Sequence, residues 1–279
     1  MPPVRVAAPS VHFVQSTRVL LAAAPTTPPC FRRWRRSSLL PNRGGLGKTG
    51  KLYAMPRAPL LAGAGTRSVT GGFSKENTMP LENKLGLTDE AALARAEEKI
   101  SKTKALELYD TGLLDAFPVG TFAGLQKIHG YLFGEIYPFA GQMRTVNIAK
   151  GNFRFAPVMY LAPALESIDA MPQSTFDEII EKYVEMNVAH PFREGNGRST
   201  RIWLDCILKK ELHQVIDWSR VDKSDYLLAM ERSPVKDVEI KALLRAALTD
   251  RITDRLVYMK GIDASYHYEG YHVFRTAEL

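Results

Sequence analysis

From Thr88 onward, apolar residues recur at the spacing of an α-helix along most of the chain. A polar start at Thr88 opens a first helical segment, which is predicted to run to about Tyr109. A second helix is predicted over residues 121–136, and Pro138 and Gly141 follow and stop it. Its apolar residues share one face: Leu125, Ile128, Leu132, Phe133 and Ile136.

The C-terminal half is also predicted to be helical, because capping residues precede further apolar stretches. Thr175 and Glu178 have the spacing of a capping box, the signature of a helix start. One helix is predicted to begin at about Leu161, and the next two span residues 175–189 and 197–213. A fourth follows the caps Ser219 and Asp222, a fifth opens at Ser233-Pro234, and a last short helix spans residues 262–269.

One stretch has β-strand character instead. Residues 145–148 and 152–155 are rich in β-branched and aromatic side chains, and Lys150-Gly151 lies between them. This pattern predicts a small β-hairpin. The sequence therefore predicts an all-α fold, a helical bundle that carries a single hairpin.

The net charge of +7 is distributed unevenly. Residues 1–75 hold 12 Lys and Arg and no acidic residue, whereas the rest of the chain has 25 basic and 30 acidic side chains. The basic character belongs to an N-terminal extension, assigned to residues 1–78, and the domain predicted over residues 79–279 is mildly acidic. Direct binding of nucleic acid by that domain is disfavoured, because such domains carry a basic surface.

The extension, rich in Arg and Ser and free of acids, is typical of an organellar transit peptide. This interpretation predicts a mitochondrial protein; the alternatives are a disordered tail, or translation from Met79 in the cytoplasm. The apolar run at residues 19–24 is shorter than the roughly 20 residues of a membrane span, so no membrane association is expected. Cys30 and Cys206 lie far apart, which disfavours a disulfide and favours a reducing compartment.

The segment HPFREGNGRSTR, from His190 to Arg201, lies between two predicted helices and carries the candidate chemistry. His190 offers a proton acceptor near neutral pH. The turn at residues 195–197 has little side-chain bulk and precedes a helix N-terminus, which binds anions through free N–H groups. Arg198 and Arg201 are three residues apart and are predicted to face one anion. Glu194 beside them is a candidate ligand for Mg²⁺.

This segment matches the Fic family motif, H-x-F-x-[D/E]-G-N-G-R-x-x-R, at every defined position. Residues 125–141 and Arg144 also resemble that family's helix and its approach to a flap hairpin. The resemblance covers about residues 80–275. It implies a Fic-type helical bundle with its core at about residues 120–250. It also implies a protein adenylyltransferase, which moves AMP from ATP to a Tyr, Ser or Thr hydroxyl of a target protein.

The resemblance implies a role for each residue of the motif. His190 would deprotonate the target hydroxyl, and Glu194 would hold Mg²⁺ at the phosphates of ATP. Phe192 would anchor the loop in the core. The phosphates would be bound by Gly195, Asn196, Gly197, Arg198 and Arg201. The flap hairpin would hold the target's backbone by strand addition, with the candidate residues Asn147, Lys150, Gly151 and Phe153.

The C-terminal sequence SYHYEG, which begins at Ser265, reads alone as an ordinary helix end. Some Fic proteins carry an inhibitory motif of this form, [S/T]-x-x-x-E-[G/N]. The resemblance therefore implies a self-inhibited enzyme with an inhibitory helix at about residues 262–270. Glu269 would pair with Arg201 and remove the partner of the γ-phosphate, so that catalysis falls more than binding. Tyr266 on the same helix is a candidate site of self-modification.

Several alternatives stay open at this stage. Relatives with the same fold transfer phosphate, but they have Lys where this chain has Gly197. Further alternatives are an enzyme that removes AMP from a modified protein, and a catalytically silent module that only binds nucleotide. The toxin of a toxin–antitoxin pair is a biological role that would need a separate inhibitory chain. The resemblance offers type II topoisomerase subunits as candidate targets and suggests self-association into a homo-oligomer.

Overall fold

The computed structural model describes residues 80–150 and 153–279, and the predicted extension at residues 1–78 lies outside them. Eight α-helices form most of the described part of the chain. They are α1 (Glu90–Asp110), α2 (Phe122–Phe133), α3 (Val158–Asp169), α4 (Phe176–Ala189), α5 (Asn196–Leu212), α6 (Lys223–Arg232), α7 (Val238–Ala246) and α8 (Arg255–Tyr268). The predicted all-α class is confirmed.

Two short antiparallel strand pairs accompany the helices. The first joins β1 (Ala149–Lys150) to β2 (Phe153–Arg154), so a hairpin is present. The second strand lies within the predicted residues 152–155, but the first lies after the predicted residues 145–148 and includes Lys150, which was predicted to lie in the turn. The second joins β3 (Val215–Ile216) to β4 (Leu248–Thr249), which are far apart in sequence. The prediction of a single strand pair is therefore wrong, because a pairing between distant dipeptides leaves no local signal.

Side-chain caps explain why several helices begin where the sequence predicts. Asp89 caps α1 by accepting a hydrogen bond from the Ala92 N–H (2.6 Å), and Thr121 caps α2 in the same manner. Thr175 forms the predicted capping box with Glu178 at the start of α4. These starts depend on contacts within one turn, so the local sequence is enough to place them.

Two predicted helix boundaries are wrong. Ser233 does not open a helix: its hydroxyl donates backward to the Met230 carbonyl (2.8 Å) at the end of α6, and α7 begins only at Val238. The last helix begins at Arg255 rather than near residue 262, because Asp254 caps it by accepting from the Leu256 N–H (2.8 Å). The resulting α8 is longer than predicted and packs along the core.

The core is built around α5, which packs against α2, α4 and α8. Trp203 on α5 is buried, and its indole N–H donates to the Thr121 carbonyl (3.0 Å) at the start of α2. The helix α1 packs on α2 and α8. No helix of the described residues combines the length and apolar character that a membrane span requires. The packing brings the N-terminus of α5 and the C-terminus of α8 together, and the candidate site lies where they meet.

Candidate active site

The loop between α4 and α5 carries the predicted motif. It begins at His190, whose backbone is left-handed (φ 49°) and whose N–H donates to the Met186 carbonyl (3.0 Å) at the end of α4. It ends at Gly195 (φ 75°), where a Cβ atom would lie 2.5 Å from the ring of Phe133. Only glycine fits that position, because a side chain would be strained by the backbone and would clash.

The interior of this loop is closed by Asn196 and anchored by Phe192. The Asn196 amide donates to the Phe192 carbonyl and accepts from the Phe192 N–H, both at 2.8 Å. Phe192 is fully buried, where the resemblance placed it. The side-chain amide of Asn196 is therefore used inside the loop, although the resemblance implied that Asn196 binds phosphate.

His129 on α2 packs against the buried side of this loop, a role that the sequence analysis did not identify. Its ring stacks on Phe192 at 3.8 Å between centroids. The Gly141 N–H donates to Nδ1 (2.8 Å), so Nε2 carries the proton and donates to the Glu194 carbonyl (2.8 Å). Burial lowers the pKa of His129 to about 4, so the ring is neutral at physiological pH. A histidine on the apolar face of a helix was the only signal in the sequence.

The imidazole of His190 is neutral and has one ring nitrogen available. The Nδ1–H donates to the Asn187 carbonyl (3.2 Å), which leaves Nε2 as a proton acceptor. The ring stacks on Phe155 at 3.6 Å between centroids. Burial lowers the pKa of His190 to about 3, so the ring is unprotonated at neutral pH. The ring is therefore oriented by its neighbours and presents an unprotonated nitrogen that can accept a proton.

Arg144 fixes the backbone of His190. Its Nε donates to the His190 carbonyl (2.8 Å), and its terminal nitrogens donate to the carbonyls of Val146, Ala156 and Ala189. The side chain is buried, and burial lowers the pKa of its guanidinium. The cation lies at the C-terminus of α4, where the helix dipole favours a positive charge. Arg144 thereby joins the end of α4 to the segment before the hairpin.

Arg201 and Glu269 form an ion pair at the N-terminus of α5. One guanidinium nitrogen of Arg201 lies 3.0 Å from Glu269 Oε1 and also donates to the Ser265 carbonyl (2.8 Å). Nε donates to the Ser265 hydroxyl (2.6 Å). Burial would raise the pKa of Glu269, but the charges of Arg201 and Lys150 outweigh it and lower the pKa to about 2. The carboxylate is therefore ionised and held.

Gly197 makes room for the Glu269 carboxylate. A Cβ atom on Gly197 would lie 2.3 Å from Glu269 Oε1 and 3.1 Å from an Arg201 nitrogen. The carboxylate thus lies against the first turn of α5, at the end of a helix that attracts anions. Glu269 occupies the position that the sequence assigned to a phosphate group.

Arg198 is not where the sequence predicted. Its side chain is 1% exposed, with one guanidinium nitrogen paired to Glu97 on α1 and the other 3.0 Å from Glu194 Oε1. Its guanidinium also packs against the rings of Phe133 and Tyr271. The prediction that Arg198 and Arg201 face one anion is therefore wrong for this conformation. The two side chains have separate sets of partners.

Glu194 presents a partly exposed carboxylate beside this pair. Its side chain is 43% exposed, and its Oε1 accepts from Arg198 and from the Gly195 N–H (3.0 Å). Within residues 80–150 and 153–279, no group of three or more His, Cys, Asp or Glu side chains is arranged to hold a metal ion. The donor set fits an ion that takes most of its oxygen ligands from phosphates and water, as Mg²⁺ does.

The predicted flap residues have different surroundings. Asn147 accepts a hydrogen bond from the Val158 N–H (2.9 Å) at the start of α3, so its side chain has a structural contact. Lys150 lies 3.3 Å from Glu269 Oε2 and is 70% exposed. Phe153 packs edge-on against Phe155. Gly151 lies outside the described residues.

Tyr266 is enclosed in the core, which argues against it as a site of self-modification. The residue is 1% exposed, and its ring packs against Arg198 and Tyr271. Burial raises the pKa of its hydroxyl to about 12, which makes it a poorer nucleophile. Ser265, by contrast, contacts Arg201, because its hydroxyl accepts a hydrogen bond from Arg201 Nε.

A neutral histidine base, an anion-binding helix N-terminus and an arginine that holds a carboxylate there are the parts of a nucleotidyl- or phosphoryl-transfer site on a helical fold. Residues 121–208 match the sequence profile of the Fic/DOC family. Over these residues the chain carries a Fic domain.

Named relatives agree with this assignment. Protein adenylyltransferase VbhT of Bartonella schoenbuchensis is 32% identical over 199 residues, which are 66% of this chain and 40% of that protein. The chain thus spans less than half the length of VbhT. Probable protein adenylyltransferase y4lH of Sinorhizobium fredii is 29% identical over 168 residues, 56% of this chain and 84% of that protein.

Solved structures share the fold. The BepC effector of Bartonella tribocorum with bound AMPPNP superposes with a TM-score of 0.51 and 19% identity, over 62% of this chain and 94% of that one. The type IV secretion effector BepA gives a TM-score of 0.53 and 19% identity, over 72% of this chain and 73% of that one. These similarities establish the helical Fic fold and nothing finer.

Proposed function

We propose that this chain is a protein adenylyltransferase that moves AMP from ATP to a side-chain hydroxyl of another protein and is restrained by its own Glu269. One observation carries the proposal: the loop that begins at His190, whose ring has a free acceptor nitrogen, leads into the helix N-terminus where Arg201 holds a carboxylate. The names of the relatives support the same activity.

The proposed reaction is an in-line displacement at the α-phosphorus of ATP. His190 Nε2 takes the proton of the target hydroxyl while the hydroxyl oxygen forms a bond to the α-phosphorus. The bond from that phosphorus to the bridging oxygen breaks, and pyrophosphate leaves. Such chemistry depends mainly on positioning and charge stabilisation, to which a positioned base adds about 10²- to 10⁴-fold. Arg144 and Phe155 hold the base in place.

Glu194 is the residue proposed to hold Mg²⁺. The ion would neutralise charge on the phosphates when bound, and the free Oε2 atom of Glu194 faces no protein cation in the pairings described above. The protein's own contribution is to orient this carboxylate, which Arg198 and the Gly195 N–H do.

The proposed restraint acts through competition for Arg201. While Glu269 is paired with this guanidinium, the outer phosphate of ATP has no cation to bind there, so the nucleotide is not held in its reactive alignment. Release requires that the end of α8 move away from α5. The β1–β2 pair is proposed to hold the target, because an extended peptide can add to the free edge of a two-stranded sheet.

The test uses ATP labelled at one phosphorus at a time. A Glu269→Gly variant is incubated with Mg²⁺, a cell lysate and either α- or γ-labelled ATP, and protein-bound label is measured. The proposal expects label from the α position only. The matched control is Glu269→Gly combined with His190→Ala, which should lose at least about 100-fold of the labelling.

Two results would contradict the proposal. Label retained from the γ position would indicate a phosphotransferase. Nucleotide binding without any transfer, by a folded Glu269→Gly protein, would indicate a silent nucleotide-binding module.

A further inference from the structure

A buried cluster surrounds Arg198 and reaches outside the region that matches the family profile. It consists of Arg198, Glu97, Glu194, Tyr137 and Tyr271, and is called here the Arg198 cluster. Glu97 lies in α1, before residue 121, and Tyr271 lies after α8. The cluster thus joins the candidate metal ligand Glu194 to α1 and to the segment that follows α8.

Glu97 is the only fully buried acid in this cluster, and the cluster residues that contact its carboxylate all donate hydrogen bonds to it. One oxygen accepts from Arg198 and from the Tyr271 hydroxyl (2.8 Å), and the other accepts from the Tyr137 hydroxyl. Burial pushes the pKa of Glu97 upward, but the Arg198 charge and these hydrogen bonds outweigh it and lower the pKa. Glu97 is therefore a permanent negative charge inside the protein.

The negative charge of Glu97 determines whether the charge of the Glu194 carboxylate is available to a metal ion. Arg198 bears one positive charge and touches two carboxylates, Glu97 and Glu194. Because Glu97 balances the guanidinium, Glu194 keeps its negative charge for a cation at its free oxygen. Without Glu97, Arg198 would be balanced by Glu194 alone, and a divalent cation would meet an uncompensated positive charge close by.

We infer that Glu97 is a positioning residue for the divalent cation: it neutralises and holds Arg198, and so frees the Glu194 carboxylate to bind the metal that accompanies the nucleotide. This inference rests on the proposed function. It assigns Arg198 to the support of Glu194 and leaves Arg201 to meet the phosphate.

The test measures metal affinity rather than activity. Mn²⁺ is titrated into protein saturated with AMPPNP, and free Mn²⁺ is followed by electron paramagnetic resonance. The parent is Glu269→Gly, in which the site is released. The test variant adds Glu97→Gln, which keeps the side-chain shape and removes the charge. The control adds Glu98→Gln, because Glu98 is the next residue of α1, is equally buried, and pairs with Lys102 instead of Arg198.

The inference expects Glu97→Gln to raise the half-saturating Mn²⁺ concentration by about tenfold, since one unit charge is lost near a divalent ion. Binding of AMPPNP in the presence of EDTA should not change, and Glu98→Gln should match the parent. A purely structural role would move both variants together. A folded Glu97→Gln protein with the Mn²⁺ affinity of the parent overturns the inference.

A second variant decides the matter if Glu97→Gln does not fold. Tyr271→Phe leaves every charge in place and removes one donor to Glu97. Because Arg198 stays neutralised by Glu97, the Mn²⁺ affinity should stay within about twofold of the parent, and a loss of about tenfold overturns the inference, since contacts rather than charge would then set the affinity. Failure of the proposed function looks different, because the Glu269→Gly parent itself would then bind no Mn²⁺ with AMPPNP.

Discussion

Arg198 and Arg201 lie one turn apart on α5 and belong to one motif, yet they are held in different ways. Arg198 pairs with Glu97, which is buried in the middle of α1, and with Glu194. Arg201 pairs with Glu269, which is 21% exposed and lies at the last turn of α8, close to the end of the chain. The first arginine is paired with a carboxylate in the core, and the second is paired with a carboxylate that is partly exposed.

Within a single turn of helix, one arginine thus has a deeply buried acidic partner and the other a partly exposed one. A buried ion pair whose two members lie on core helices cannot open without a large penalty. The carboxylate of the Arg201–Glu269 pair is 21% exposed, against 3% for Glu97, so a ligand from solvent can reach that pair. Arg201 is therefore the arginine that a nucleotide can compete for.

The largest effect should come from breaking the fixed pair. Arg198→Met leaves Glu97 buried without a cation and should lower the free energy of unfolding by about 3–5 kcal/mol. Arg201→Met leaves Glu269 near solvent and within reach of Lys150, so a loss of only about 1–3 kcal/mol is expected. Urea unfolding of both variants measures this. Equal losses of unfolding free energy in the two variants would show that the two ion pairs contribute equally to stability, which contradicts this comparison.

A smaller effect is expected when the releasable pair is only loosened. Ser265→Ala removes the hydroxyl that accepts from Arg201 Nε at 2.6 Å but leaves the backbone carbonyl and Glu269 in place. The rate of AMP transfer should rise about fivefold, the factor that corresponds to roughly 1 kcal/mol. Ser233→Ala is the control, since that hydroxyl contacts only its own helix. A lower rate with Ser265→Ala would contradict the proposed restraint.

The smallest effect concerns pH. The pKa of Glu269 is lowered from 4.5 to about 2, so its pairing free energy is fully present above the ordinary value and is lost only as the pH falls toward 2. The ratio of the rates of Glu269→Gly and the unsubstituted protein should therefore stay constant between about pH 6 and about pH 8. A ratio that falls steadily toward the acidic side would mean that another titrating group controls the restraint.

Local features of this protein could be predicted from the sequence, and distant pairings could not. The first helix begins close to the predicted start at Thr88, and α4 begins after Thr175 as predicted, because the caps Asp89 and Thr175 find their partners within one turn. Ser233 misled the prediction because a serine hydroxyl can bond forward or backward along the chain. Tyr266 has an ordinary local sequence, and only the packing of α8 against the core buries it.

The same limit applies to the candidate site. The motif residues could be identified by their spacing, but the partner of Arg198 lies 101 residues away in sequence, and no spacing rule links them. Glu269 could be connected to Arg201 only through the resemblance to self-inhibited relatives. The structure then placed the two side chains 3.0 Å apart.

The most direct test of the account is the initial rate at which α-labelled ATP labels protein, measured for Glu269→Gly against the unsubstituted chain. The account predicts a rise on the order of 10- to 100-fold, because Arg201 is freed to stabilise charge on the phosphates. Glu269→Gln, which keeps the shape and loses the charge, should also raise the rate, though by less. An unchanged or lower rate for Glu269→Gly, in a protein with an intact thermal unfolding transition, would contradict it.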